Sequence, residues 1–246
     1  MSALRAPTRP KRAQLAPPLA ACALIPTLDN PETVAAVVEE TLERLPVILI
    51  DDGSGPTARK VIDSLVERHP SLRLLRHARN RGKGAALRWG LSAARQLGFT
   101  HALTLDADGQ HSPADIPLVL RAASSNPRAI VLGGRDLRAA GAGWGSRSGR
   151  TLSNAWFHLA TGQELADTQT GFRVYPLEPL AALDLCGERY ELEVEVLAKA
   201  AWKSVPFVTI PVGVRYFPRG ERVSHMGLTD FARISAAWLR LLLRQT

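Results

Sequence analysis

Short apolar runs alternate, along the first half of the chain, with longer segments whose apolar positions recur every three or four residues. The runs at 19–25, 47–50, 72–75 and 101–105 read as buried strands, and the periodic segments 32–45, 57–68 and 85–96 as helices. Asn30 and Pro31 mark the N-cap and first position of the first helix. Strands and helices alternating at this spacing predict parallel βαβ units with right-handed crossovers. Beyond the fourth strand, Ser112, Pro113 and Asp115 start a helix running to about residue 123, and 129–132 form another strand. A helix over 153–160, a strand ending near Tyr175, and helices over 177–183 and 191–202 follow. Residues 205–214 make one or two strands, which Pro206 and Pro211 place near a sheet edge. The last helix starts at Thr229 or Asp230. It puts Phe231, Ile234, Trp238, Leu241 and Leu242 on one face and Arg233, Arg240 and Arg244 on the other. Packing of the apolar face on the domain is expected, with contact to an anionic membrane as the alternative.

In such sheets ligands bind beyond the carboxyl ends of the strands. Thr27, Asp52, the turn 80–84 and Asp106 all fall there, although they are scattered in sequence. The segment Asp106-Ala107-Asp108-Gly109-Gln110 carries the most chemistry. If it is extended, side chains alternate, and Asp106, Asp108 and Gln110 turn to one side. Their hard oxygens suit Mg²⁺ or Mn²⁺, which keep positions for water or a diphosphate. Taken alone, the Asp-Gly pair reads more readily as a polar turn. The convergence of strand ends is what favours a site. A long segment, 133–149, holds Arg135, Arg138, Trp144 and Arg147, with Arg150 just after it. It reads either as a movable cover bringing arginines to an anion or as a solvated loop. Glu191, Glu193 and Glu195 suit the start of their helix, and one of them could face the cleft.

Length and composition limit the rest. A chain of 246 residues with 46% hydrophobic content fits one domain over 19–246, preceded by a basic tail, 1–18, expected to be disordered. The net charge of +8 comes mostly from arginine and favours anionic partners, but no nucleic-acid motif accompanies it. Leu19-Ala20-Ala21-Cys22 imitates a lipoprotein cleavage box; Pro17 and Pro18 break the apolar segment, and cleavage would cut the first strand. Cys22 and Cys186 lie far apart without paired spacing, which fits a reducing cytoplasm. No apolar run is long enough to span a bilayer. His77, His101, His111 and His158 form no ligand pattern and are expected at the surface or satisfied in the core; Trp89 and Trp156 are expected in the core.

Together, Ile25-Pro26-Thr27, Asp51-Asp52-Gly53-Ser54, Asn80-Arg81-Gly82-Lys83-Gly84, Asp106-Ala107-Asp108-Gly109-Gln110 and Thr170-Gly171-Phe172-Arg173 resemble the family 2 glycosyltransferases. The resemblance is greatest to the dolichyl- and polyprenyl-phosphate sugar synthases and runs from about residue 20 to the end. It implies an α/β GT-A fold: a mostly parallel, Rossmann-like sheet flanked by helices, here ending in an amphipathic helix. Residues 19–111 would be the nucleotide-binding half and 112–246 the acceptor-binding half. By resemblance, Pro26, Thr27, Asp52 and Lys83 are donor-binding positions, with Asp52 accepting from the base. Asp106 would lie beneath the diphosphate, and Asp108 and Gln110 would hold the metal, Mg²⁺ or Mn²⁺. Arg135, Arg147 and Arg150 match an arginine-bearing loop that meets an acceptor phosphate, Asp167 the acceptor-side acid, and Arg222 and Ser224 a loop closing over the diphosphate. Leu28-Asp29-Asn30 departs from the family's usual residues there, and the Gln-x-x-Arg-Trp signature of processive synthases is absent.

The activity implied is inverting transfer of one sugar from a nucleoside-diphosphate sugar to a lipid-linked or hydrophobic acceptor, a polyprenyl phosphate being favoured. Its setting would be cytoplasmic, peripheral at the inner face of a membrane, without nucleic acid. Nothing in the chain specifies an oligomeric state. A sugar nucleotidyltransferase and a non-enzymatic basic module binding anions or membranes are the alternatives.

Overall fold

The computed structural model describes residues 19–135, 144–215 and 228–243, with side chains over 19–135, 149–215 and 233–242. The tail 1–18, Arg138, Arg222 and Ser224, and the side chains of Trp144, Arg147, Phe231 and Arg244, lie outside that description.

The elements are β1 (Ala21–Thr27), α1 (Val34–Leu42), β2 (Val47–Asp51), α2 (Pro56–Arg68), β3 (Arg73–Arg76), α3 (Lys83–Gln96), β4 (His101–Thr104), α4 (Ile116–Ser125), β5 (Ile130–Arg135), α5 (Trp144–Thr161), β6 (Arg173–Pro176), α6 (Leu177–Ala181), α7 (Glu191–Trp202), β7 (Phe207–Val212) and α8 (Leu228–Leu243). They form a seven-stranded sheet of order β3-β2-β1-β4-β6-β5-β7. The strands β3, β2, β1 and β4 pair in parallel, as do β5 and β7. Strand β6 alone is reversed, antiparallel to both β4 and β5. The mostly parallel sheet expected from the sequence is therefore present.

Helices cover both faces, which is why β1 and β2 are buried along their whole lengths and read as unbroken apolar runs. One core layer packs Val34, Val38, Ile62, Leu65, Ile116 and Val119 against one face of the sheet. On the other face, Phe157, Leu197 and Trp238 join α5, α7 and α8 into a second core. Trp238 is fully buried and meets Phe157 edge-on, with ring centroids 6.2 Å apart. Ile234, Trp238 and Leu241 thus pack inward while Arg233 and Arg240 stay exposed, as the packing reading of the last helix requires.

Four expectations are corrected. Asn30 does not cap a helix: α1 starts at Val34, and the Asn30 Oδ1 instead accepts from the backbone N–H of Leu28. The segment 133–149 is not one long loop, because β5 reaches Arg135 and α5 begins at Trp144 rather than Ser153. Trp89 is not core; it is 38% exposed on α3, stacked on His77. The acidic stretch is not extended: β4 ends at Thr104, and Gly109, with φ of 72°, closes a turn. The backbone N–H of Gln110 donates to Asp108 Oδ1 across that turn at 3.0 Å.

Candidate active site

The carboxyl ends of β1, β2 and β4 and the turn before α3 meet around an open cleft of about 250 Å³. Pro26, Thr27, Asp52, Lys83, Asp106 and Asp108 line it, as expected, together with Arg189 and Tyr190 from the segment before α7. The two aspartates of Asp51-Asp52 divide their work. Asp51 is a tie within the sheet: it accepts from the Ser54 N–H and pairs with Arg76 Nε at 2.7 Å. Asp52 shapes the turn before α3 by accepting from the N–H groups of Arg81 (3.0 Å) and Gly82 (2.7 Å), with His77 Nδ1 at 2.6 Å. A carboxylate has about four acceptor positions, so one remains for a ligand N–H.

That turn needs its glycines for packing. Gly82 has φ of +100°, and a Cβ on Gly84 would lie 2.5 Å from the Arg189 carbonyl oxygen. The close approach lets Ala85 N–H donate to the Glu188 carbonyl at 2.8 Å, so α3 starts against the segment leading into α7. Lys83 is thereby fixed at the floor of the cleft. Its Nζ lies 2.7 Å from Asp106 Oδ1 and 2.9 Å from Glu193 Oε1, and 5.6 Å from the centre of the Tyr190 ring. Burial alone would lower its pKa, but the two carboxylates hold it well above the ordinary lysine range.

Asp106 and Asp108 are driven apart electrostatically. Burial opposes ionisation of Asp106, yet Lys83 outweighs it and holds the carboxyl below its usual range. Asp108 has no ion pair among the described residues and is pushed up to about 6, by burial first and by Asp106 second, which Lys83 offsets only in part. Two crowded carboxylates, one of them only partly compensated, are what a divalent cation would relieve. Among the described residues no group of three or more His, Cys, Asp or Glu could hold a metal. Asp106 and Asp108 are carboxylates, the hard-oxygen ligand type that Mg²⁺ and Mn²⁺ take. Gln110 stands off the cleft wall, its carbonyl accepting from Arg215 N–H at 2.8 Å.

Of the remaining expected residues, Arg135, Arg150 and Asp167 form a second cluster. Arg135 grips Asp167 in a bidentate pair, Nε to Oδ2 at 2.6 Å and Nη2 to Oδ1 at 2.9 Å. Arg150 donates from Nη1 to the Arg135 carbonyl at 2.9 Å. Burial would raise the Asp167 pKa, but Arg135 holds it below the normal range. Gly171 joins the two clusters: a Cβ there would lie 2.5 Å from Asp106 Oδ2, so only glycine lets the 167–171 segment pass under that carboxylate. Thr104 Oγ1 fastens the segment by donating to the Gly171 carbonyl at 2.7 Å. Phe172 is fully buried and stacks with His111 at 5.3 Å. His111 is not satisfied as expected: it is buried, its Nδ1 has no partner among the described residues, and its pKa is pushed down to about 4, chiefly by burial.

Two positions named in the sequence received no individual role there. Arg173 is buried, and its guanidinium donates to the carbonyls of Thr168, Thr170 and Glu193 and to the Tyr175 hydroxyl. It binds the Asp167 segment to the start of α7. The three glutamates separate only in the structure: Glu191 accepts from the N–H groups of Glu188 and Arg189, Glu195 from those of Cys186 and Gly187, and Glu193 alone reaches Lys83. Their identical spacing carries no sign of which one does so.

Comparison with known proteins agrees with this geometry. Residues 22–179 match the family described as Glycosyl transferase family 2. A dolichyl-phosphate β-glucosyltransferase of Dictyostelium discoideum is 30% identical over 178 residues, covering 68% of this chain but only 54% of its own length. A UDP-N-acetylglucosamine–dolichyl-phosphate N-acetylglucosaminyltransferase of Methanococcus voltae is 27% identical, covering 76% of this chain and 83% of that relative. In fold, the chain is similar to a mannosyltransferase from Pyrobaculum calidifontis solved with GDP-Man and Mn²⁺. That likeness has a TM-score of 0.59 at 18% identity, over 96% of this chain and 67% of the other. It identifies the architecture as GT-A. With the family matched over most of the chain and its motifs assembled around one cleft, this protein belongs to the family 2 glycosyl transferases.

Proposed function

We propose that the protein transfers one sugar, with inversion, from a nucleoside-diphosphate sugar to a polyprenyl phosphate. Pro26, Thr27 and Asp52 would hold the nucleoside, and Asp108, beside Asp106, the metal, with Gln110 assigned to it by resemblance alone. A divalent cation bound there supplies charge neutralisation for the departing diphosphate. Lys83 adds a fixed positive charge on the same floor. Arg222 and Ser224 are assigned to the diphosphate by resemblance.

The observation that carries the acceptor assignment is the buried Arg135–Asp167 pair. A carboxylate locked on both oxygens, with its pKa lowered, is a poor general base, so a hydroxyl acceptor would lack an acceptor for its proton. A phosphate arrives already ionised and needs none. Arg135, held in place by Asp167, and Arg150 would supply positive charge to attract and orient it. The relatives from Dictyostelium discoideum and Methanococcus voltae carry dolichyl phosphate in their names, in keeping with that choice.

Peripheral contact with a membrane is part of the proposal, on the cytoplasmic side. No helix among the described residues is long and apolar enough to cross a membrane. The helices α5 and α8 nonetheless expose Leu152 (53%), Leu159 (65%) and Leu239 (53%). Arg233 and Arg240 are also exposed on α8. The test is transfer of radiolabelled sugar from UDP- and GDP-sugars, with Mn²⁺, to a short polyprenyl phosphate or to the matching alcohol. Labelled lipid from the phosphate alone is expected; transfer to the alcohol alone would overturn the acceptor assignment.

A further inference from the structure

Lys83 is shared between two carboxylates. Its ammonium sits between Asp106 and Glu193, at 2.7 and 2.9 Å, and its charge is outnumbered by theirs. Glu193 stands behind Lys83, off the cleft wall, with its side chain 12% exposed. Its backbone is anchored: the Glu193 backbone carbonyl accepts from buried Arg173 at 2.8 Å, and its N–H donates to the Tyr190 carbonyl at 3.2 Å. Glu193 does not line the cleft but contacts the lysine that does, so its charge reaches a ligand there through Lys83.

We infer that Glu193 is a positioning residue that tempers the charge of Lys83, so that the nucleoside diphosphate is released once the sugar has left. The inference rests on the donor site proposed above. The leaving diphosphate gains one negative charge as the glycosidic bond breaks, because the bonding electrons stay with its oxygen. Product therefore binds a cationic floor more tightly than substrate does. A free Lys83 would hold it; a Lys83 shared with Glu193 holds it less. Glu193 also aims the ammonium: with Asp106 on one side and Glu193 on the other, Nζ stays over the Tyr190 ring.

The test compares the full chain with Glu193→Gln, which has the same shape and still offers Lys83 an acceptor oxygen. UDP and GDP are titrated calorimetrically with Mn²⁺ present, and product inhibition and kcat are measured alongside. Removing one unit charge behind the ammonium should tighten binding of the diphosphate about ten-fold and lower kcat, with substrate KM falling rather than rising. Glu193→Asp, which keeps the charge but withdraws it by one methylene, should tighten binding by a smaller factor. In a Lys83→Gln background, Glu193→Gln should change affinity less than two-fold, since the effect runs through Lys83. Unchanged or weaker diphosphate binding in both single variants, with the parent binding normally, would overturn the inference. Failure of the parent itself to bind either nucleotide would instead overturn the donor site.

Discussion

Gly171 offers the sharpest test of how the two halves of the site are joined. An added Cβ would lie 2.5 Å from Asp106 Oδ2 and 3.1 Å from its Cγ. Ordinary contact begins at about 3.4 Å, so in Gly171→Ala the carboxylate must retreat by about 0.9 Å or the 167–171 segment must lift. A retreat of that size lengthens the 2.7 Å contact between Oδ1 and Lys83 Nζ to as much as about 3.6 Å where it is directed away from the lysine, beyond hydrogen-bonding distance. Overpacking of this kind costs about 1–3 kcal/mol. Urea denaturation should show that loss, and calorimetry should show Mn²⁺-dependent binding of UDP or GDP weakened at least about ten-fold. Gly98→Ala is the comparison: Gly98 has φ of +82° with nothing within 4 Å of its added Cβ, so strain costs stability but leaves binding untouched. Parent-like nucleotide binding by Gly171→Ala would refute the claim that Asp106 works from a fixed position.

Other predictions follow from the same geometry. Because the Asp108 carboxyl is pushed up to about 6, Mn²⁺ binding should weaken as pH falls from 7.5 to 5 and release protons near pH 6, seen by calorimetry in two buffers. The same sign makes ionised Asp108 destabilising without metal above that pH, so Mn²⁺ should raise the Tm more at pH 7.5 than at pH 5. Asp167→Asn leaves Arg135 without its buried partner and should cost about 3 kcal/mol in denaturant melts. Turnover with a phosphate acceptor should still fall by less than about ten-fold, whereas loss of a general base would cost about a hundred-fold or more. Trp238→Ala, emptying the centre of the α5–α7–α8 core, should cost about 3–5 kcal/mol while leaving donor KM unchanged.

The fold's first half was legible because its physics is local. Strands buried on both faces, such as β1 and β2, must be unbroken apolar runs, and helices covering them must be amphipathic. The donor side of the site was legible for the same reason, since Thr27, Asp52, Lys83 and Asp106 stand at element ends that the pattern locates. The start of α5 was hidden by Gly145, Ser146, Ser148 and Gly149, whose weak helix propensity is overridden in the fold. The reversal of β6 was hidden because four residues, Arg173–Pro176, pair equally well in either direction. Gly109 bent the acidic stretch out of the extended form on which the alternation argument rested. Pairings between distant segments, Arg135 with Asp167 and Lys83 with Glu193, have no local signature at all.

The account rests on a nucleoside diphosphate bound through a metal at Asp108, and calorimetry tests that most directly. UDP, GDP and their common sugars are titrated into the parent and Asp108→Ala, with Mn²⁺ and again with chelator. Metal-dependent binding of one nucleotide, lost in the variant, is the predicted result. Equal binding by parent and variant, or binding indifferent to chelator, would contradict it.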